Sequence, residues 1–270
     1  MEASEPEVRF DRDTRVTQLG PGSFRARIDP GWWIARGPNG GYVAAILLSA
    51  LQQAVNDPER APRSLTVHYA APPSEGPVRI ETRIERTGRS LTSISARMHQ
   101  GDRVIALALA AFSKAREGKE WVRLSMPQVP APEKCGVVER NVPIHNRYDQ
   151  RIAIGDLPFS GGSTATTGGW IRLREPRTAD ALLVAAYTDS FPPALFPVMA
   201  DREDTGGLPT VDLTIHFRSP LPLANAAIDD FALAVFRSRY AKQGFVEEDG
   251  EVWSRDGQLL AQSRQLAVML

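Results

Sequence analysis

The chain has 270 residues, of which 42% are hydrophobic and 24% are charged, and its formal net charge is zero. This composition is typical of a globular protein with one large domain or two of ordinary size. A balanced charge gives no electrostatic basis for binding nucleic acid or an acidic membrane surface. Cys135 is the only cysteine, which excludes an intrachain disulfide and a multi-cysteine metal site.

The terminal and apolar segments predict neither export nor membrane insertion. Residues Met1 to Arg15 are acidic and polar, and they lack the apolar core of a secretory signal. The longest apolar runs, Tyr42–Leu51 and Val104–Phe112, are too short to cross a bilayer. We therefore expect a cytoplasmic protein that does not associate with membranes.

A long buried helix is the main predicted element of the first half. Tyr42–Val55 is rich in Ala, Leu and Ile and contains no proline, and Asp57-Pro58 ends it. Asn39 is the predicted N-cap. Gly40 and Gly41 allow another backbone, or a ligand, to approach the start of the helix closely.

Strand-like runs precede and follow this helix. A helix followed by antiparallel strands predicts a sheet wrapped around that helix. The polar, proline-rich segment Lys114–Cys135 is the best linker candidate in the chain. The predicted strands of the first half are Thr14–Leu19, Phe24–Ile28, Leu65–Tyr69, Val78–Arg86, Leu91–His99 and Val104–Phe112.

The second half repeats this plan with different loops. Thr178–Tyr187 is its helix candidate, with Thr178 as the predicted N-cap. The glycine-rich stretch Gly161–Gly169 lacks the lysine of a phosphate-binding loop, and we interpret it as a mobile loop. Asp256-Gly257 is a strong hairpin signal. The predicted strands are Ile144–Ile154, Trp170–Arg174, Thr210–Phe217, Phe231–Tyr240, Phe245–Ser254 and Leu259–Met269.

One stretch of sequence occurs twice. Leu65–Pro72 (LTVHYAAP) recurs as Leu213–Pro220 (LTIHFRSP), each after a helix-like segment and before three strand-like runs, which predicts one supersecondary unit used twice. We predict an N-terminal unit over residues 1–115, a linker over 116–140 and a C-terminal unit over 141–270. His68 and His216 occupy equivalent positions in the repeat, and a shared packing role explains them with fewer assumptions than a metal or catalytic role.

Short motifs in a fixed order across both halves carry a family resemblance. In the first half they are Gly40-Gly41, the strand ending at Pro72, Gly88-Arg89-Ser90, Ala96-Arg97 and Ala111-Phe112-Ser113. In the second half they are Trp170-Ile171-Arg172, Tyr187-Thr188-Asp189, Thr210-Val211-Asp212, Phe217-Arg218-Ser219-Pro220, Asp256-Gly257 and Gln265-Leu266-Ala267-Val268-Met269. The chain resembles the acyl-CoA thioesterase II (TesB-like) family over nearly its whole length. The resemblance implies an α+β double hotdog, two tandem units that each wrap an antiparallel sheet around a central helix.

The resemblance also implies a catalytic group and a reaction. The family's Asp, Thr (or Ser) and Gln match Asp189, Thr210 and Gln265, which would hold a water that hydrolyses acyl-CoA to a free acid and CoA. No metal or cofactor is implied. A carboxylate can act as a general base, and a hydroxyl and an amide can orient the water. Backbone N–H groups of Gly40 or Gly41 could polarise the thioester carbonyl, because a helix N-terminus favours negative charge.

Several alternatives stay open at this point. A non-catalytic acyl-CoA binding protein would keep the same fold. A hotdog dehydratase or hydratase would need a histidine paired with a carboxylate in the helix region, and the sequence near Asp189 has no histidine. Thr214 competes with Thr210 on the same strand. Gln265 could lie on a solvated edge, and Gly40-Gly41 could serve close packing alone.

The expected partners are the substrate and further copies of the chain. The resemblance implies that a dimer or larger homo-oligomer forms through the sheets. Binding of CoA implies cations for its phosphates, and the sequence does not rank the candidates. These are Arg36, Arg89, Arg97, Arg218 and Lys242.

Overall fold

One large antiparallel sheet packs with three helices and a set of 3-10 turns in the part of the chain that the structure describes. The computed structural model describes residues 7–34, 37–201 and 207–270. Within these ranges no helix is long and apolar enough to cross a membrane. The helices are α1 (Arg9–Thr14), α2 (Gly40–Val55) and α3 (Ala181–Tyr187), with 3-10 helices at Pro30–Trp32, Pro132–Lys134, Pro143–Asn146 and Phe196–Val198.

The strand order of the sheet repeats on either side of its centre. The strands are β1 (Thr17–Gly20), β2 (Ser23–Ile28), β3 (Ala61–Tyr69), β4 (Gly76–Thr87), β5 (Leu91–Gln100), β6 (Arg103–Ser113), β7 (Gly136–Val137), β8 (Tyr148–Ile154), β9 (Thr166–Leu173), β10 (Thr210–Phe217), β11 (Ala232–Arg237), β12 (Ala241–Lys242), β13 (Phe245–Trp253) and β14 (Leu259–Val268). Their order is β1-β2-β4-β5-β6-β3-β10-β14-β13-β11-β9-β8-β7, with β12 paired to β13. Outward from the centre, β3-β6-β5-β4 therefore matches β10-β14-β13-β11.

The repeated stretch of sequence forms the centre of the sheet. Strands β3 and β10 pair antiparallel with Thr66 opposite Thr214, and the two hydroxyl oxygens lie 3.0 Å apart. These two threonines are equivalent in the repeat, so a local two-fold axis passes between them. His68 and His216 are both exposed on these strands. The expected packing role for the two histidines is therefore wrong.

The helix α2 is the buried element that the sequence predicts. Every residue from Gly41 to Leu51 is buried. Asn39 caps the helix as expected, because its Oδ1 accepts a hydrogen bond from the Tyr42 N–H at 3.0 Å. The helix ends at Val55, and the C-cap residue Asn56 adopts the left-handed conformation (φ 46°).

The helix α3 is shorter than predicted and has a different cap. It begins at Ala181, and the N-cap is Asp180, whose Oδ1 accepts from the Leu183 N–H at 3.0 Å. Thr178 was the expected cap. Arg177 holds the Asp180 carboxylate with a hydrogen bond of 2.8 Å, which orients Asp180 for capping.

The glycine-rich segment is partly strand, contrary to the prediction of a loop. Strand β9 begins at Thr166 and contains Gly168 and Gly169 between β8 and β11. A Cβ atom on Gly169 would lie 1.8 Å from the Arg151 carbonyl oxygen. These glycines therefore allow neighbouring strands to approach closely, and they do not mark a turn.

The end of the predicted linker packs against the second half. Met126, Val129 and Cys135 contact a hydrophobic cluster that contains Trp170 and Trp253. The indole N–H of Trp170 donates to the Pro130 carbonyl at 2.8 Å. The boundaries 1–115, 116–140 and 141–270 stay a prediction.

Candidate active site

Asp189 lies where the end of α3 meets the start of α2. The residue follows α3 by two positions, and its Oδ2 accepts hydrogen bonds from the Gly41 N–H (3.1 Å) and the Asn39 Nδ2 (2.9 Å). Asn39 Nδ2 also donates to the Asp189 carbonyl oxygen at 2.5 Å. The cap of α2 thus also holds Asp189, and the carboxylate faces the positive end of the α2 dipole.

Glycine at position 41 is what allows the two helices to meet this closely. A Cβ atom at Gly41 would lie 2.5 Å from the Ala186 carbonyl oxygen in the last turn of α3. At Gly40 it would lie 2.9 Å from Asp189 Oδ2. The Tyr69 hydroxyl donates to the Gly40 carbonyl at 2.8 Å and secures the same end of α2.

A β-bulge turns Thr210 towards the interior. Thr210 lies opposite Ala267 and Asp212 opposite Leu266, so β10 advances two residues where β14 advances one, and Val211 is the extra residue. Without the bulge, Thr210 would face away from the side of the sheet on which Leu213 is buried, because the two residues are three positions apart.

The bulge brings the Thr210 hydroxyl to Gln265. It donates to Gln265 Oε1 at 3.0 Å. Thr214, the competing threonine, contacts Thr66 across the β3–β10 pair instead. Gln265 is 9% exposed, so it is not on a solvated edge.

Gln265 lies between two carboxylates. Its Nε2 donates to Glu248 Oε1 at 2.6 Å, and Glu248 is directly opposite Gln265 in the β13–β14 register. Gln265 also lies close enough to Asp189 for its side chain to lower the pKa of that carboxylate. Glu248 Oε2 accepts from the Ala194 N–H at 2.5 Å, in the segment that follows Asp189. One amide therefore connects β10, β13, β14 and the end of α3.

Burial raises the pKa of both carboxylates. Burial raises the pKa of Asp189 to about 6, and hydrogen bonds from Gly41, Gly40, Gln265 and Asn39 oppose that rise. Burial also raises the pKa of Glu248 to about 7, with the negative charges of Asp189 and Glu247 adding to the rise. Asp189 can thus exchange a proton near neutral pH, as a general base must. No group of His, Cys, Asp or Glu suited to a metal ion lies within the described residues.

The structure brings the predicted site residues together. Gln265 contacts both Asp189 and Thr210, and Gly41 contacts Asp189 from the other half of the chain. The N–H of Gly41 is directed at the Asp189 carboxylate, and its expected role in polarising a carbonyl stays a prediction. The catalytic roles of the trio also stay predictions.

Two polar residues at this point were not predicted as part of the site. Asn39 was expected only to cap α2. The sequence does carry a signal for Glu248, because Val246, Gly250 and Val252 alternate with it on the buried face of β13. A carboxylate at a buried position of a strand is unusual and indicates a specific role.

Those candidate cations for the CoA phosphates that lie within the described residues are all on the surface. Arg89, Arg97, Arg218 and Lys242 are exposed. Arg218 donates to Gln262 Oε1 at 2.8 Å. Arg36 lies outside the described residues. The choice among these cations stays a prediction.

In a comparison with known protein families, each half of the chain matches a domain of acyl-CoA thioesterases. The model of the acyl-CoA thioesterase N-terminal domain matches residues 29–113. The model of the acyl-CoA thioesterase C-terminal domain matches residues 124–269. Together the two matches leave unmatched only the N-terminal residues, a short segment before residue 124 and the last residue.

Solved structures from other organisms share the whole architecture. A hotdog-fold protein of unknown function from Alicyclobacillus acidocaldarius is 31% identical, with a TM-score of 0.87 and 97% of each chain covered. A candidate thioesterase II from Thermobifida fusca is 25% identical, with a TM-score of 0.85 and 98% of each chain covered. The acyl-CoA thioesterase II TesB2 of Mycobacterium marinum shares the fold at 21% identity, with a TM-score of 0.79 and 97% and 98% coverage. With both domain models matched in order, the chain belongs to the TesB-like acyl-CoA thioesterase II family.

Proposed function

We propose that this protein hydrolyses acyl-CoA thioesters to a free carboxylic acid and CoA, on a double hotdog scaffold. The observation that carries the proposal is that Asp189 lies against the N-terminus of α2, with Gln265 next to it and Thr210 hydrogen-bonded to Gln265. Family membership supports thioester hydrolysis in general, and the mirrored strand order supports two tandem hotdog units. The dimer or larger assembly implied by the resemblance stays a prediction.

Asp189 and Thr210 hold the attacking water. Asp189 Oδ2 already accepts two hydrogen bonds, so we assign Oδ1 to the water. The only hydroxyl proton of Thr210 is donated to Gln265, so the oxygen of Thr210 accepts the second proton of the water. A water that donates both its protons in this way presents its lone pairs to the thioester carbon, and this fixed geometry supplies much of the rate gain.

The proton that Asp189 accepts is returned to the leaving group. Asp189 takes a proton as the water oxygen bonds to the carbonyl carbon, and the carbonyl oxygen becomes an oxyanion. A protonated Asp189 is a weaker acceptor, so the N–H groups at the start of α2 become available to that oxyanion. The C–S bond then breaks, the acid leaves, and the CoA thiolate takes the proton from Asp189.

Thiol release from a panel of acyl-CoAs tests this function directly. We expect the protein to release free CoA thiol from at least one chain length, with the acid as the second product. Binding of acyl-CoA without release from any member of the panel would contradict hydrolysis. That result would favour the non-catalytic acyl-CoA binding protein.

The two threonines of β10 provide a matched pair of variants. Thr210→Val removes the hydroxyl that contacts Gln265 and keeps the side-chain shape, so we expect kcat to fall by about tenfold to a hundredfold. Thr214→Val removes the contact with Thr66 and costs about 1 kcal/mol of stability, without changing kcat. Steady-state kinetics and thermal melts measure both effects. An equal loss of kcat in the two variants would rule out the assignment of Thr210.

A further inference from the structure

Glu248 is a buried carboxylate whose hydrogen-bond partners are an amide and a backbone N–H. It is 7% exposed and lies opposite Gln265 in the register of β13 and β14. The nearby Arg264 pairs with Glu247 and Asp249 on either side. In the part of the chain that the structure describes, no lysine or arginine forms an ion pair with Glu248. Burial of an unpaired carboxylate is costly, so a role limited to packing would be better filled by a neutral residue.

The hydrogen bonds of Glu248 have a fixed direction. Its Oε2 accepts from a backbone N–H, that of Ala194, which can only donate. Its Oε1 accepts from Gln265 Nε2. An ionised carboxylate only accepts, so Gln265 must present its NH₂ group to Glu248 and its oxygen to Thr210. Thr210 must then use its single proton on Gln265.

We propose that Glu248 is a positioning residue that sets the direction of the hydrogen-bond chain from Thr210 through Gln265 to Glu248. This direction leaves the lone pairs of the Thr210 oxygen free to accept a proton from the attacking water. The proposal rests on the proposed function of the site, but the direction of the chain is a structural property that can be measured by itself.

Protonation of Glu248 reverses the direction of the hydrogen-bond chain. The proton must reside on Oε1, because Oε2 faces the Ala194 N–H, and Gln265 then turns its oxygen towards Glu248. Its NH₂ group faces Thr210, whose proton is now directed at the water. The titratable groups acting on Glu248 are Asp189, after α3, and Glu247, on its own strand. Burial and these two negative charges together raise the pKa of Glu248 to about 7. Acid therefore disables the site in two steps, at Glu248 and at Asp189.

Glu248→Gln tests the proposal with little change in shape. The oxygen of the introduced amide accepts from Ala194, its NH₂ group faces Gln265, and the chain runs in reverse at every pH. We expect kcat to fall by about tenfold to a hundredfold with KM within about twofold. The acid limb of the kcat profile should lose the step that belongs to Glu248. Glu247→Gln, the same change one residue earlier, should leave the plateau value of kcat unaltered and keep the Glu248 step, displaced to lower pH because a negative charge that raises the pKa of Glu248 is removed.

Neutron diffraction shows the orientation of the Gln265 amide, and hence the direction of the hydrogen-bond chain, without any measurement of activity. At pH 8 the deuterium atoms of Gln265 should face Glu248 in the wild type and face Thr210 in Glu248→Gln. Wild-type crystals at pH 5 should resemble the variant, and this comparison replaces the variant if it does not fold. The same amide orientation in all of these crystals, or a variant kcat within about twofold of wild type, would overturn the proposal. A wild type that releases no thiol would instead refute the proposed function, and the neutron maps would still decide the direction.

Discussion

Replacement of Asp189 with Asn is expected to lower kcat/KM for acyl-CoA hydrolysis by about 10²–10⁴-fold, the range of a lost general base. Asn has nearly the same shape, and its oxygen can still accept from Asn39 and Gly41, so the loss comes from the missing proton acceptor. Thiol release with saturating and limiting substrate measures both kinetic parameters. Asp180→Asn, at the other end of α3, keeps its cap and should retain wild-type activity.

The same variant should be more stable than the wild type at high pH. Burial raises the pKa of Asp189 in the folded protein to about 6 from an ordinary value of 3.8, so the folded state binds this proton more tightly than the unfolded state. The associated stability is present below about pH 4 and is lost as the pH rises through about 6. We expect Asp189→Asn to melt about 6–12 °C higher than wild type near pH 8, with the difference vanishing near pH 4.

Wild-type activity should rise with pH over the same range in which the stability associated with Asp189 is lost. Both Asp189 and Glu248 must be ionised, so kcat/KM should begin to fall below about pH 7 and should fall by about tenfold or more for each pH unit below 6. An acid limb that is identical in wild type and in Asp189→Asn would contradict the assignment. Retention of more than about a tenth of wild-type activity by Asp189→Asn would contradict it as well.

Replacement of Gly41 with Ala should disrupt the junction on which the site depends. The new Cβ would lie 2.5 Å from the Ala186 carbonyl oxygen, so α2 and α3 must separate. Asp189, three residues after Ala186, then moves away from the Gly41 N–H. We expect kcat/KM to fall by about 10²-fold, because small misplacements of reacting groups cost that much. Overpacking should also lower the free energy of unfolding by about 1–3 kcal/mol, despite the better helix propensity of Ala.

A second glycine provides the control for this variant. Gly20 lies at the end of β1, and a Cβ there would have no atom within 4 Å. Gly20→Ala should therefore leave both the melting temperature and kcat/KM unchanged. If Gly41→Ala behaves like Gly20→Ala, the close approach of α2 and α3 is not what positions Asp189. If Gly41→Ala loses activity with an unchanged melting temperature, Gly41 is needed for the geometry of the site and not for the stability of the fold.

Local patterns predicted most elements of the fold. The apolar run at Tyr42–Val55, Asn39 before it, and the strand Thr210–Phe217 were all confirmed, since composition, capping and period-two alternation act over a few residues. The glycines of β9 led to the wrong prediction of a loop. In the sequence, a glycine that lets a neighbouring strand approach closely cannot be distinguished from a glycine that forms a turn. The N-cap of α3 is Asp180 and not the predicted Thr178, because Arg177 holds the Asp180 carboxylate in place. Capping preference alone does not specify that contact.

The sequence by itself predicted a doubled plan, and it determined the buried helix and the types of residue that the family resemblance requires at Asp189, Thr210 and Gln265. Only the tertiary structure decided which of them meet. A one-residue bulge at Val211 selects Thr210 over Thr214, and the strand register places Glu248 beside Gln265. The packing of α3 on Gly41 brings Asp189 to the start of α2. These contacts join residues far apart in the chain, and their geometry depends on how strands and helices pack against one another, which no local pattern specifies.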